Sequence, residues 1–172
     1  LADMVSFGLL PALMLHRYMI MTGHTGTAAY IPLLICIFSA LRLAKFNVDD
    51  RQSENFLGLA TPACAMWCGS AVYFYSIGQA TSLSLVQNEW FLPVVSVILS
   101  LLLVSEIPMF SMKFKKGGSG SQNKIRVVFL AASAAVVILT LILKMNWSII
   151  PLMIFLVYIL LNFIKALFKL KF

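Results

Sequence analysis

Six apolar stretches, at about residues 4–21, 28–44, 59–83, 90–112, 125–143 and 148–164, limit what this chain can fold into. A helix rising about 1.5 Å per residue needs roughly 20 residues to cross the hydrocarbon core of a bilayer, and each stretch approaches that length. The runs are continuous rather than alternating, which favours helices over a barrel, and a helix satisfies its own backbone polar groups in lipid. Only 11% of the residues are charged and 61% are hydrophobic, whereas a soluble domain carries about 25% charged residues. The expected fold is therefore all-α, a polytopic transmembrane helical bundle with six spanning helices. Pro11, Pro32, Pro62, Pro93, Pro108 and Pro151 fall inside or near these stretches and are expected to kink helices rather than end them.

Charge placement predicts the orientation. Arg42, Lys45 and Arg51 lie between the second and third stretches, Lys113, Lys115, Lys116, Lys124 and Arg126 between the fourth and fifth, and Lys165, Lys169 and Lys171 at the end. Of the 13 basic residues this leaves only Arg17 and Lys144 for the other side. By the positive-inside rule the crowded side, which also holds Asp3, faces the cytoplasm. The net charge of +7 thus reads as topology and attraction to anionic lipid headgroups; no basic face interleaved with exposed aromatics points to nucleic acid. The start shows no basic region followed by a small-residue cleavage site, so it does not resemble a signal peptide, and the chain reads as an internal or C-terminal piece.

Residues 113–124, with Gly117-Gly118-Ser119-Gly120-Ser121 flanked by lysines, read as a flexible cytoplasmic linker. It separates a four-helix block, residues 1–112, from a two-helix hydrophobic hairpin with a basic C-terminus, residues 125–172. The hairpin lacks an acid within its apolar runs and is expected to serve packing or oligomer contact, so chemistry is expected in the first block. Cys36, Cys64 and Cys68 read as small packing residues; His16 and His24 belong to the far end of the first stretch, which argues against zinc.

Polar residues are few enough to consider singly. Asp3 stands at the mouth of an apolar helix, and a charge at membrane depth costs roughly 2.5–3.5 kcal/mol, which marks it as a candidate functional residue. Arg42 and Lys45 are three apart and hence neighbours on one helical face. Such a pair suits an anionic phosphate or carboxylate, and equally suits snorkelling at a helix end. Asp49, Asp50 and Glu54 read as solvated loop acids, and Glu106, before Pro108, as reaching toward headgroups.

Four segments in order resemble one family. Leu1-Ala2-Asp3-Met4-Val5-Ser6-Phe7-Gly8-x-x-Pro11 resembles the end of the CDP-alcohol phosphatidyltransferase signature, D-x2-D-G-x2-A-R-x8-G-x3-D-x3-D, in the form carried by the membrane-embedded phosphatidylserine synthases. The likeness continues through Arg42-x-x-Lys45-Phe46-Asn47, then Asn55-Phe56-Leu57-Gly58-Leu59-Ala60-Thr61-Pro62-Ala63, then Val104-Ser105-x-x-Pro108-x-x-Ser111-x-Lys113-Phe114, over about the first two thirds of the chain. Residues 1–112 would be the C-terminal part of the family's catalytic core. The signature's first three aspartates, and the helices carrying them, would lie before Leu1, and Ala60 stands where a proline or small residue is expected, a minor difference.

The resemblance implies an enzyme of phospholipid biosynthesis that transfers a phosphatidyl group from CDP-diacylglycerol to L-serine, giving phosphatidylserine and CMP. It implies Asp3 as catalytic base and metal ligand, Mg²⁺ or Mn²⁺ as cofactor, and Arg42, Lys45 and Asn47 as substrate-binding residues. The expected setting is the cytoplasmic face of the inner cell membrane, among membrane lipids, with a homodimer as one option for assembly. Clustered carboxylates suit this chemistry because divalent cations neutralise a diphosphate while a hydroxyl is deprotonated for attack. Relatives using glycerol phosphate or inositol phosphate remain an alternative. So does, from another class, a transporter or structural membrane protein with Asp3 as an ion site; two related halves with broken helices would favour it, and no such internal symmetry is present.

Overall fold

The structure, a computed structural model, describes residues 2–23, 26–48, 56–77, 90–109, 120–143, 147 and 149–167, and the statements that follow concern these. Six helices account for nearly all of them: α1 (Ala2–Met21), α2 (Thr27–Val48), α3 (Thr61–Ser76), α4 (Phe91–Val104), α5 (Gly120–Ile142) and α6 (Ile149–Leu167). Two short strands, β1 (Phe56–Leu57) and β2 (Pro108–Met109), pair antiparallel with Phe56 opposite Met109 and Leu57 opposite Pro108. The fold is all-α apart from this clasp. Among the described residues α1 and α2 are long and apolar enough to cross a membrane, and Phe91–Val104, Arg126–Ile142 and Ile149–Lys165 are shorter apolar helices.

The prolines do something other than expected. Pro62, Pro93 and Pro151 sit in the first turns of α3, α4 and α6, where a backbone N–H has no partner within the helix and its absence costs nothing. They mark helix starts, not kinks. Pro32 lies in the 3₁₀ stretch Thr27–Leu33 that opens α2. Pro11 follows a π-turn, Val5–Leu9, in which the N–H of Leu10 reaches back to the carbonyl of Val5. Lacking its own N–H, Pro11 cannot continue the ordinary ladder there, and the wider turn absorbs the break.

Two expected boundaries also move. The fourth helix ends at Val104 rather than near residue 112, because Ser105 turns extended (φ −60°, ψ 151°) and Pro108 disfavours helical geometry at the residue before it. The expected linker ends sooner than residue 124, since α5 already begins at Gly120; once the apolar run is helical, each residue added at its end gains a backbone bond. Residues 113–119, like Asp49, Asp50, Glu54 and His24, lie outside the described residues.

An apolar core includes Leu15, Met19, Ile35, Leu59 and Leu99, and polar side chains are buried as well. Ser39, Arg42, Thr61, Ser96, Ser100, Arg126, Thr140 and Asn162 are buried, while large apolar side chains such as Leu10, Ile37, Met66, Leu101, Ile142 and Phe163 are exposed. Exposed leucines are tolerated by a surface that faces hydrocarbon, and polar groups are then better placed inside. The hydroxyls are largely satisfied within their own helices: Ser96 donates to the carbonyl of Leu92 at 2.7 Å and Ser100 to that of Ser96 at 2.8 Å. Helices α1 and α2 approach closely at Gly8, where a Cβ would stand 2.9 Å from that of Ser39, as small residues permit in membrane bundles. The C-terminal hairpin is not a separate body. Helix α6 packs on α3, with Phe155 beside Trp67 at 6.1 Å between ring centroids, and Phe155 belongs to the common core.

Candidate functional site

A cavity of about 450 Å³ opens where α1 begins, α2 ends and α3 begins, lined by Asp3, Arg42, Leu43, Phe46, Asn47, Ala60, Thr61 and Pro62. Three chain segments meet there. Asp3 comes from the first turn of α1, which packs against α2. Arg42 and Asn47 come from the last turns of α2, and Thr61 and Pro62 open α3.

Arg42 is the unusual member. Its residue is only 8% exposed, and its Nε has no hydrogen-bond partner among the described residues. A buried guanidinium is costly unless an anion or a full set of acceptors compensates it. Across the cavity α3 presents its N-terminus, with Ala60 in extended geometry and no side chain capping the first turn. Uncapped N–H groups and the positive end of a 16-residue helix favour a phosphate or carboxylate. Thr61, 2% exposed, lines the same wall. A buried cation and a helix N-terminus thus meet one carboxylate, that of Asp3, in one concavity.

Backbone geometry holds that helix start in place. Gly58, at φ +75°, donates its N–H to the carbonyl of Ile107 at 3.0 Å, and Leu59 donates to that of Leu102 at 2.9 Å. A Cβ on residue 58 would lie 2.7 Å from the carbonyl oxygens of both Leu103 and Ser105. Only glycine fits such an approach at that φ. The clasp between β1 and β2 therefore sets where α3 begins.

Of the residues singled out in the sequence, Asp3, Arg42 and Asn47 line the cavity together. Lys45 does not. Its Nζ pairs instead with Glu106 Oε1 at 3.0 Å, beyond the end of α4, so the expected Arg42–Lys45 pair diverges and Glu106 meets a lysine rather than headgroups. Residues three apart on a helix share a face only approximately, and a carboxylate 61 residues away draws the lysine side chain aside. Sequence reasoning passed over Tyr158. From α6 its hydroxyl lies within electrostatic reach of the Arg42 guanidinium; Asn162, 1% exposed, donates to the Tyr158 carbonyl at 2.8 Å, and Phe129 packs edge-on against the ring at 5.9 Å. The signal was present as the polar residues on one stripe of an otherwise apolar helix. A second cleft, about 600 Å³, lies toward the opposite ends of α1 and α3, beside Arg17, Tyr18, Thr22 and Ser76.

No group of three or more histidine, cysteine, aspartate or glutamate side chains that could hold a metal ion comes together among the described residues. Asp3 supplies one carboxylate and Asn47 an amide to the cavity; these are hard oxygen donors of the right kind, but too few to hold a divalent cation by themselves. His16 has its Nδ1 bonded to the carbonyl of Ala29 at 2.6 Å, and Cys64 and Cys68 are buried within α3.

Comparison with known proteins bears on this arrangement. Over 119 residues, 65% of this chain and 38% of the relative, the sequence is 34% identical to the CDP-diacylglycerol–serine O-phosphatidyltransferase of Mycobacterium leprae. Over that stretch the chain is similar to the CDP-diacylglycerol–serine O-phosphatidyltransferases. The enzyme of that name from Helicobacter pylori strain J99 is 39% identical over 69 residues, 38% of this chain and 28% of the relative. That of Mycobacterium bovis is 33% identical over 119 residues, 65% of this chain and 40% of the relative. The matches thus span less than half of each phosphatidyltransferase, and no family model matches the chain.

Proposed function

We propose that the whole protein is a phosphatidyltransferase of phospholipid biosynthesis, moving the phosphatidyl group of CDP-diacylglycerol onto L-serine to give phosphatidylserine and CMP. The observation that carries this is the cavity. It sets a buried, incompletely satisfied Arg42 and the uncapped start of α3 opposite Asp3, in a chain whose relatives bear that activity in their names. In the reaction the serine hydroxyl oxygen attacks the phosphorus that carries diacylglycerol, the bond from that phosphorus to the CMP oxygen breaks, and CMP leaves. Asp3 takes the hydroxyl proton. Arg42 and the N–H groups opening α3 hold the anionic phosphate or carboxylate of the substrates, and Asn47 adds a neutral donor and acceptor at the rim. Burial of Arg42 and Thr61 strengthens these contacts by keeping water from competing for them.

A divalent cation, Mg²⁺ or Mn²⁺, belongs to this proposal. It would neutralise the diphosphate, with Asp3 as one ligand and substrate oxygens or further carboxylates completing the set. All six helices are proposed to cross the inner cell membrane, with the Asp3 end cytoplasmic, on the strength of where the basic residues fall. The test is CMP release from CDP-diacylglycerol by the full-length enzyme in mixed micelles, with serine, glycerol 3-phosphate or inositol 1-phosphate as acceptor, with and without Mg²⁺ or Mn²⁺. Serine should be preferred and metal required. Absence of CMP release with every acceptor would end the transferase reading, and preference for a phosphorylated acceptor would replace serine.

A further inference from the structure

Beyond the cavity, the segment from Ser105 to Met109 links its two walls. Its backbone serves one wall: Ile107 accepts from Gly58 at 3.0 Å and β2 pairs with β1, which together fix the start of α3. Its side chain serves the other, since Glu106 Oε1 meets Lys45 Nζ at 3.0 Å, and Lys45 lies between Arg42 and Asn47 on the last turns of α2. Adjacent residues, Glu106 and Ile107, therefore reach opposite sides of the same concavity.

We propose that Glu106 is a positioning residue which, through Lys45, holds the Arg42 end of α2 at the right distance from the start of α3, so that Lys45 is a tether and not a substrate ligand. Stability is a poor explanation for the pair. The Lys45 and Glu106 side chains are 34% and 68% exposed, and ion pairs so open to their surroundings contribute little to folding. Geometry is a better one. The anion site is split between two elements joined by the chain from 49 to 60, and its two halves act on one ligand only if their spacing is kept. A small misplacement of such a two-part clamp costs far more in substrate binding than in stability. The cavity lining agrees, because it includes Arg42 and Asn47 and omits Lys45. This inference rests on the transferase reading.

The test uses the full-length enzyme in lipid and compares Glu106→Gln, Lys45→Gln and the exchanged pair Lys45→Glu/Glu106→Lys. Each single variant should raise KM for an anionic substrate by roughly tenfold or more, with kcat little changed and the thermal midpoint unmoved, as expected when binding shared by ground and transition states is weakened. The exchanged pair should return KM most of the way to wild type. Recovery is the decisive outcome, since a lysine that itself bound substrate could not be replaced by glutamate. A wild-type KM in Glu106→Gln, or no recovery on exchange, overturns the tether and leaves the transferase reading standing. A second measurement does not depend on turnover: cysteines at 45 and 106, in a background free of other cysteines, should be joined by a short bifunctional thiol reagent in the folded enzyme. Failure to crosslink also overturns the proposal. If the wild type releases no CMP with any acceptor, the transferase reading falls and the positioning role falls with it.

Discussion

Replacing Gly58 with alanine should damage this protein out of proportion to the one methyl group added. The new Cβ would stand 2.7 Å from the carbonyl oxygens of Leu103 and Ser105 and 3.1 Å from that of Leu102, all backbone atoms that no rotamer change can move aside. The residue also sits at φ +75°, where an L-residue other than glycine is strained by about 1–2 kcal/mol. Relieving the contact means parting β1 from the end of α4, which strains or breaks the bonds from Gly58 to Ile107 (3.0 Å) and from Leu59 to Leu102 (2.9 Å). Such bonds contribute about 0.5–1.5 kcal/mol each, so the expected total is about 2–5 kcal/mol. Gly69→Ala provides the control, because it lies in α3 with nothing within 4 Å of its Cβ position, and in a helix alanine is favoured over glycine by roughly 1 kcal/mol. Unfolding both variants by titration with a denaturing detergent in mixed micelles should move the midpoint down for Gly58→Ala and leave it level or raise it for Gly69→Ala. Equal midpoints would refute the reasoning. The start of α3 moves with the clasp, so Gly58→Ala should also weaken substrate binding under conditions where the enzyme remains folded.

Further outcomes follow from the same geometry. Asp3→Asn keeps the shape and removes the basicity, so serine-dependent CMP release should drop about 10²–10⁴-fold with membrane insertion intact; retained turnover removes Asp3 from the centre of the chemistry. Arg42→Ala should weaken the use of anionic substrates by about 2–5 kcal/mol, and Arg42→Lys should recover only part of that if the contact is bidentate; KM values equal to wild type would return Arg42 to a structural role. Gly8→Ala should separate α1 from α2 by collision with Ser39, lowering the unfolding midpoint, and Ser39→Gly in the same chain should restore it. Impermeant thiol labelling of single cysteines should mark Met21 and Trp147, both exposed between helices, from outside intact cells and Val48 only after lysis, and the reverse pattern would invert the proposed orientation.

The helices were legible because long apolar runs leave few alternatives to them, but their ends were not. Taken as kinks, Pro62, Pro93 and Pro151 promised helices running through them; in the structure they occupy first turns, the place where a missing N–H is harmless. Pro108 likewise belongs to a strand rather than to α4. The distinction depends on which neighbouring residues begin the helix, and apolar composition alone does not report that. In the site, Asp3 and Arg42 could be found because each is a charged residue within an apolar run, and Asn47 through the family resemblance. Thr61 and the start of α3 could not be found that way. Ala60 offers no capping side chain, and the helix N-terminus acts through backbone N–H groups that any sequence possesses.

Lys45 and Tyr158 show the complementary difficulty. Helical spacing placed Lys45 beside Arg42, yet its partner is Glu106, brought near by the β1–β2 clasp and not by any local pattern. Tyr158 lies in a hairpin whose apolar composition argued for packing alone, and it comes within electrostatic range of Arg42 because α6 lies against α3 through Phe155 and Trp67. Both relations are long-range consequences of how helices assemble once they are in lipid. In that setting apolar surface no longer decides which faces meet, so small residues, as at Gly8 and Ser39, and scarce polar groups decide instead. The same scarcity explains why the buried polar residues gather toward the inside of the bundle. A guanidinium such as that of Arg42 is tolerated there only where a ligand, a helix end or a neighbouring polar side chain can answer it, and the cavity beside Asp3 offers the start of α3 and polar neighbours in Asp3 and Asn47.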